Sequence, residues 1–136
     1  MVEIEVFYEG DLHCRAVHGP SGQQIATDAP VDNQGRGECF SPTDLFVTSL
    51  GTCMSTIMAI AGRNHGLDLT GLRVKLRKSM STDAPRRIAR LEIDYHVPLP
   101  ADHPKRALLE AAALGCPVER GLHPDIEQKV EFFWQP

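Results

Sequence analysis

Apolar and polar residues alternate from position 2 to 8. Val2, Ile4, Val6 and Tyr8 fall on one side of an extended chain and Glu3, Glu5 and Phe7 on the other. Side chains of a strand alternate every two residues, so this pattern predicts a strand with one buried face. Glu9-Gly10-Asp11 reads as a turn, and a second strand runs from about Leu12 to His18. After the Gly19-Pro20-Ser21-Gly22 turn, a third strand occupies about Gln23 to Thr27, completing a meander. From Asp28 to Phe40 the chain is loop-like, with Pro30, Asn33, Gly35 and Gly37. Loops of that length in a compact domain are usually functional or mobile.

At Ser41 the period changes from that of a strand to that of a helix. Ser41 can cap, Pro42 suits the first helical position, and Asp44 lies three residues after the cap, well placed against the dipole. Phe46, Leu50, Cys53, Ile57 and Ile60 then recur at steps of four and three, predicting one apolar stripe. Ser49, Gly51, Thr52, Ser55, Ala59 and Ala61 surround it with small side chains, the profile of a central helix approached closely by other elements. It is expected to end near Gly66, which tolerates a left-handed C-terminal residue. Strands follow at Leu69 to Met80 and Arg87 to Val97, joined by a turn containing Asp83-Ala-Pro85. Leu91, Ile93, Tyr95 and Val97 give the second its buried face. Pro104 opens a helix carrying Ala107, Leu108, Ala111 and Leu114 and stopping at Gly115, and Ile126 to Trp134 supplies a last strand. There is no internal repeat.

The whole chain of 136 residues is expected to be one α+β domain, a length that buries well over half of its unfolded surface. Its formal net charge of −4 argues against nucleic acid as main partner, because phosphate binding rests on Lys and Arg. The basic stretch Arg73-Val-Lys-Leu-Arg-Lys78 reads instead as the wet face of a strand. The N-terminus carries Glu3 and Glu5 where a signal peptide is basic, and no unbroken apolar run approaches the ~20 residues of a membrane span. A cytoplasmic protein with no membrane partner is expected.

Four cysteines, Cys14, Cys39, Cys53 and Cys116, form neither a C-x-x-C pair nor a zinc-site spacing, and a domain of this size has no need of a disulfide framework. They are free thiols, buried and inert or reactive. Cys116-Pro117-Val118-Glu119 has the form of a short helix entry, with the thiol at the cap, proline at the first position and a capping-box glutamate. Backbone N–H groups and the dipole there favour thiolate and a lowered pKa; the bland alternative is a small capping residue. Cys53 lies within an apolar stripe, where inert cysteines are common, but the small residues around it leave room for a ligand. Cys14 and Cys39, in a strand and a loop, read as incidental. His13, His18, His65, His96, His103 and His123 are scattered without a helical pair, so structural or surface roles and no metal are expected. A metal-binding module would require Cys or His residues to converge in space, which the spacing does not predict. Glu92 and Asp94 point to one face without a visible catalytic partner, giving a hydrolase little support.

Taken together, Ser41-Pro42-Thr43-Asp44-Leu45, Gly51-Thr52-Cys53 and Leu114-Gly115-Cys116-Pro117-Val118 resemble the osmotically induced protein C and organic hydroperoxide resistance (OsmC/Ohr) family, in its order and with similar spacing over nearly the whole chain. The resemblance implies an α+β OsmC-like fold, with antiparallel sheets wrapped on a long central helix, in an intertwined homodimer with sites at the interface. It implies a thiol peroxidase in which Cys53 is the peroxidatic and Cys116 the resolving thiol. Organic hydroperoxide would be the substrate, an external dithiol the reductant, and no cofactor would be needed. An apolar wall of Leu, Ile, Met and Phe favours an alkyl tail by roughly 0.8 kcal/mol per buried methylene.

Family members carry an arginine in the early strands and a glutamate at the start of the central helix. In this chain the glutamate position falls on Thr43, with Asp44 beside it, and the arginine position near Leu12, with Arg15 and Arg36 the nearest substitutes. Asp44 lies ~13.5 Å along the helix axis from Cys53 and on the opposite face, so its expected role is at the partner subunit's site. The rival reading is a non-catalytic dimer of the same fold that binds a small apolar ligand, and an arginine reaching Cys53 would separate the two.

Overall fold

The computed structural model describes residues 1–136. It resolves into two compact units, Met1–Phe46 and Val47–Pro136.

The first unit is a three-stranded antiparallel meander, β1 (Ile4–Gly10), β2 (His13–His18) and β3 (Gln24–Asp28). The predicted strands are all present. Their expected buried face is not: Val2, Ile4, Val6 and Tyr8 are each more than 60% exposed, and Ile25 is 51% exposed. Within this unit only Asp28 and Ser41 are buried, so the alternation marks a face that the chain itself leaves uncovered. The 28–40 loop is tied to the sheet by its backbone. Asp28 N–H donates to the Phe40 carbonyl at 3.2 Å, Ala29 N–H to Leu12 at 3.0 Å and Gly37 N–H to Ala29 at 3.2 Å.

The helix α1 (Pro42–Arg63) starts where the capping signals place it. Asp44 N–H donates to Ser41 Oγ at 3.1 Å and Ser41 N–H to Asp44 Oδ2 at 2.9 Å, a reciprocal box that satisfies donors left over at a helix start. Its buried side is rotated from the predicted stripe: Val47, Leu50, Gly51, Met54, Met58 and Gly62 are buried, whereas Phe46 is 40% and Ile60 49% exposed. The glycines cause this. A β-carbon at Gly51 would sit 2.5 Å from Leu76 Cδ1 and one at Gly62 3.2 Å from Leu69 Cδ1, so the helix is approached closest along its glycine edge. By length and composition α1 could also cross a bilayer, contrary to expectation, because small residues sustain its apolarity without an unbroken run of large ones. Here Val47, Leu50, Met54 and Met58 join the core instead.

The second unit continues with the hairpin β4 (Arg73–Met80) and β5 (Ile88–Pro100), then α2 (Arg106–Leu114), the one-turn α3 (Pro117–Arg120) and β6 (Glu127–Gln135). On β5 the predicted inward residues Leu91, Ile93, Tyr95 and Val97 are almost wholly buried. β6 pairs with β5 in parallel, so this sheet is mixed rather than purely antiparallel. The connection through α2 and α3 supplies the crossover that parallel pairing requires. On α2 the buried pair is Leu109 and Ala113, while Leu108 and Leu114 remain 39% and 44% exposed. The face is turned from the expected one because the step of four from Leu109 to Ala113 leads on to buried Cys116. Arg73, Lys75 and Arg77 line the wet face of β4 as expected, while Lys78 falls on the opposite face, and Arg77 pairs with Asp94 at 2.8 Å and Glu92 at 3.0 Å.

Candidate functional site

Cys53 sits midway along α1, half-buried, and Cys116 is fully buried as the N-cap of α3. The fold brings them near one another, close enough for Cys53 to influence the Cys116 thiol. Cys116 Sγ also accepts the Glu119 N–H at 3.3 Å, which realises the capping geometry legible in Cys116-Pro117-Val118-Glu119. The expected lowering of its pKa is overturned. Burial pushes the Cys116 thiol up, and although the Glu119 N–H and, more weakly, the Val118 N–H pull it down, neighbouring Cys53 adds to the rise. A one-turn helix offers too little to offset the loss of water.

The third group at this position was not singled out by the sequence. Tyr95 is fully buried on β5, its ring tilted against Phe132 with centroids 5.2 Å apart, and its hydroxyl has no hydrogen-bond partner. Burial pushes its pKa up to about 12; Ser55 tempers the rise without completing a hydrogen bond, and Cys116 and Cys53 reinforce it. The Ser55 hydroxyl is itself engaged, donating to the Gly51 carbonyl at 2.8 Å. An unmet buried hydroxyl costs about 1–3 kcal/mol and is rare in native proteins. The signal was a lone tyrosine among Leu91, Ile93 and Val97. Two sulfurs and one neutral O–H donor thus converge in a largely apolar surround, an arrangement able to hold a thiolate, a sulfenic acid or a disulfide.

The other candidates lie in the first unit. Arg15 on β2 stacks over Phe7, its guanidinium carbon 4.4 Å from the ring centre, with Nε 3.5 Å from Glu9. Arg36, in the 28–40 loop, lines a shallow depression with Asp11, Leu12 and Gln34. Asp44 spends one carboxylate oxygen on the Ser41 N–H. Cys14 is half-buried on β2.

Cys39 is not isolated, contrary to expectation. His13, Asp28 and Cys39 place one donor atom each within 4.8 Å of one another. His13 and Asp28 are register partners across β2 and β3, with Nδ1 2.6 Å from Oδ1, and Asp28 Oδ2 accepts the Glu38 N–H at 3.1 Å. The His13 hydrogen bond holds the Asp28 carboxyl below its ordinary value against the opposing effect of burial. Burial first, and Asp28 next, push the Cys39 thiol up.

Residues 35–131 match the sequence profile of a family described as OsmC-like protein. No curated protein matches the chain. Among solved structures, one from Psychrobacter arcticus 273-4, described as an osmotic stress induced and detoxification response protein, is 44% identical. It aligns over 98% of this chain and 96% of its own, with a TM-score of 0.91. An organic hydroperoxide resistance protein OsmC from Legionella pneumophila shares the fold at 12% identity, over 97% of this chain and 96% of its own, with a TM-score of 0.77. An organic hydroperoxide resistance protein from Elizabethkingia anophelis, bound to thiocyanate, does so at 12% identity, over 99% and 96%, with a TM-score of 0.77.

Proposed function

This chain belongs to the OsmC-like protein family, and from that premise we propose that it reduces organic hydroperoxides through Cys53 and Cys116 in the cytoplasm, the whole chain acting as one functional domain. The observation that carries the reading is the proximity of the two thiols, one half-buried and one buried, with Cys53 near enough to push the Cys116 thiol up. Cys116 is held as a thiol, so the nucleophile falls to Cys53. Its thiolate attacks the terminal oxygen of R–O–O–H; the O–S bond forms, the O–O bond breaks, and the departing alkoxide takes a proton to leave as alcohol. Tyr95, neutral across the physiological range, supplies an O–H donor to the Cys53 sulfur or to the oxygen it gains. Cys116 then loses its proton and attacks the sulfenic sulfur. The S–S bond forms, the S–O bond breaks and water leaves. An external dithiol returns the pair to thiols by exchange.

The working unit in this reading is a homodimer. Support comes from the apolar face of the first sheet, where Val2, Ile4, Val6 and Tyr8 are exposed, since a contiguous apolar surface usually marks an interaction site. Asp44, Arg15 and Arg36 then remain candidates for shaping the partner's site.

The test is to treat reduced protein with an organic hydroperoxide and count free thiols. Wild type is expected to lose two. Cys116→Ser should stop at a sulfenic acid, and Cys53→Ser should not respond. Equal oxidation of Cys14 and Cys39, or no loss in wild type, overturns the peroxidase reading and leaves apolar-ligand binding as the function.

A further inference from the structure

Away from the thiol pair, the first unit gathers three chemically different ligand groups from three segments: His13 at the start of β2, Asp28 at the end of β3 and Cys39 in the loop before α1. We propose that His13, Asp28 and Cys39 form a binding site for a single zinc ion that clamps the 28–40 loop to the β2–β3 edge.

The donor set selects the ion. Imidazole, carboxylate and thiolate together are the ligands of zinc, whereas calcium and magnesium take oxygen alone, and cupric ion is reduced by thiols. Distances are within reach of a small adjustment. Zinc bonds of about 2.0–2.3 Å set tetrahedral donors roughly 3.3–3.8 Å apart. The present spread is at most 4.8 Å, and the 2.6 Å His13–Asp28 contact needs to open by under about 1 Å to admit the ion.

The surroundings of these groups are those of supported ligands. Asp28 is 3% exposed and keeps its second oxygen on the Glu38 N–H, which fixes the first oxygen toward His13. With His13 Nδ1 turned to the ion, its Nε2 faces Glu9 Oε1 at 3.8 Å, so a small approach of the Glu9 side chain would complete the carboxylate–histidine–metal order that orients ligating imidazoles. The ion takes the place of the Cys39 proton, so binding releases that proton. Three protein ligands leave the fourth position to water. Bridging two strands to the loop makes the ion a stabiliser of the folded state in proportion to its occupancy.

Because Cys53 and Cys116 are also thiols, the test is made on the Cys53→Ser/Cys116→Ser protein, reduced and stripped with a chelator, as well as on wild type. Zinc is titrated in competition with a chromophoric chelator, and cobalt(II) serves as a spectroscopic stand-in. One equivalent is expected in both proteins, with a sulfur-to-cobalt charge-transfer band and a zinc-dependent rise in melting temperature. Cys39→Ser should abolish the band and weaken zinc by at least about 100-fold, and His13→Ala should weaken it comparably while keeping some of the band. Cys14→Ser, beside His13 but outside the cluster, should bind as the parent does. Circular dichroism in chelator shows whether each variant is folded. Should Cys39→Ser not fold, the band in the parent and its change in His13→Ala decide. No saturable binding, or binding and band that survive both His13→Ala and Cys39→Ser, overturns the proposal and leaves the three residues as a hydrogen-bonded loop anchor.

Discussion

Cys116, at the mouth of α3, accepts the Glu119 N–H at 3.3 Å on its sulfur, and neighbouring Cys53 in the middle of α1 helps push its thiol up. The same atom is thus a helix cap and, in the proposed mechanism, the resolving thiol, and two variants separate the two roles. Serine keeps the capping acceptor and loses the sulfur; alanine loses both. Both are expected to abolish turnover, but only Cys116→Ala should lose the cap's contribution, about 0.5–2 kcal/mol. Urea unfolding of the reduced proteins beside a peroxide assay checks this, and equal stability of the two variants would show the cap to be without weight.

Tyr95→Phe removes one oxygen from a place where it makes no bond. The reduced variant is expected to be as stable as wild type, or more stable by up to about 1 kcal/mol, since no hydrogen bond is given up. If the hydroxyl supports the Cys53 thiolate, kcat should fall by about 100-fold, the scale of losing one preorganised donor, with KM little changed. A destabilised variant with wild-type kcat contradicts this role.

Gly35 lies where a side chain has no room. A β-carbon there would come 1.7 Å from the Ala29 carbonyl oxygen, and backbone atoms cannot swing aside as a side-chain tip can. Gly35→Ala is expected to distort the 28–40 loop at a cost of at least about 1–3 kcal/mol, read from thermal unfolding or from faster proteolysis within the loop. Gly22→Ala, with open space at the β-carbon but φ near +70°, should cost about 1 kcal/mol through backbone strain alone.

The alternation of β1 was legible in the sequence, and so were the helix start at Ser41 and the cap at Cys116, because each depends on residues close together in the chain. The direction of burial was not. Which side of α1 is covered was decided by Gly51 and Gly62 meeting Leu76 and Leu69, contacts that no helical period encodes. The sign of the Cys116 shift was misread for a related reason: capping is local, but desolvation depends on everything packed around the sulfur. Cys39 looked solitary because its partners, His13 and Asp28, come from strands whose register is fixed only by pairing. The meeting of Cys53 with Cys116 was expected from family resemblance, not from spacing.

The wet face of the second sheet gives an acid response of known sign. Hydrogen bonds from Arg77 hold the Asp94 and Glu92 carboxyls below their ordinary values. Their contribution to stability is present above the unfolded-state pKa near 4 and fades as pH falls through the lower folded-state values. Arg77→Ala should bring acid unfolding on at a higher pH, with little change near pH 7 because both pairs are solvent-screened. An unchanged acid limb, followed by the fluorescence of Trp134, would mean the pairs carry no weight.

Val6→Glu places a charge on the uncovered face of the first sheet. If a second copy of the chain covers that face, sedimentation should show dimer dissociation strengthened by at least about 100-fold, because an unpaired buried charge costs several kcal/mol. Unchanged sedimentation sends the search for the interface elsewhere.

The parallel docking of β6 on β5 fixes when the sulfur chemistry becomes safe. A polypeptide leaving the ribosome exposes Cys53 first, and at about 5–20 residues per second several seconds pass before Cys116 is even synthesised. The return segment holding it must then fold across before the last strand can close the sheet. During that interval Cys53 lacks the sulfur with which the proposed mechanism pairs it, so its oxidation has no built-in route back before the irreversible acids. In the proposed chemistry, the newborn chain is thus most vulnerable to the very compounds its finished form would consume.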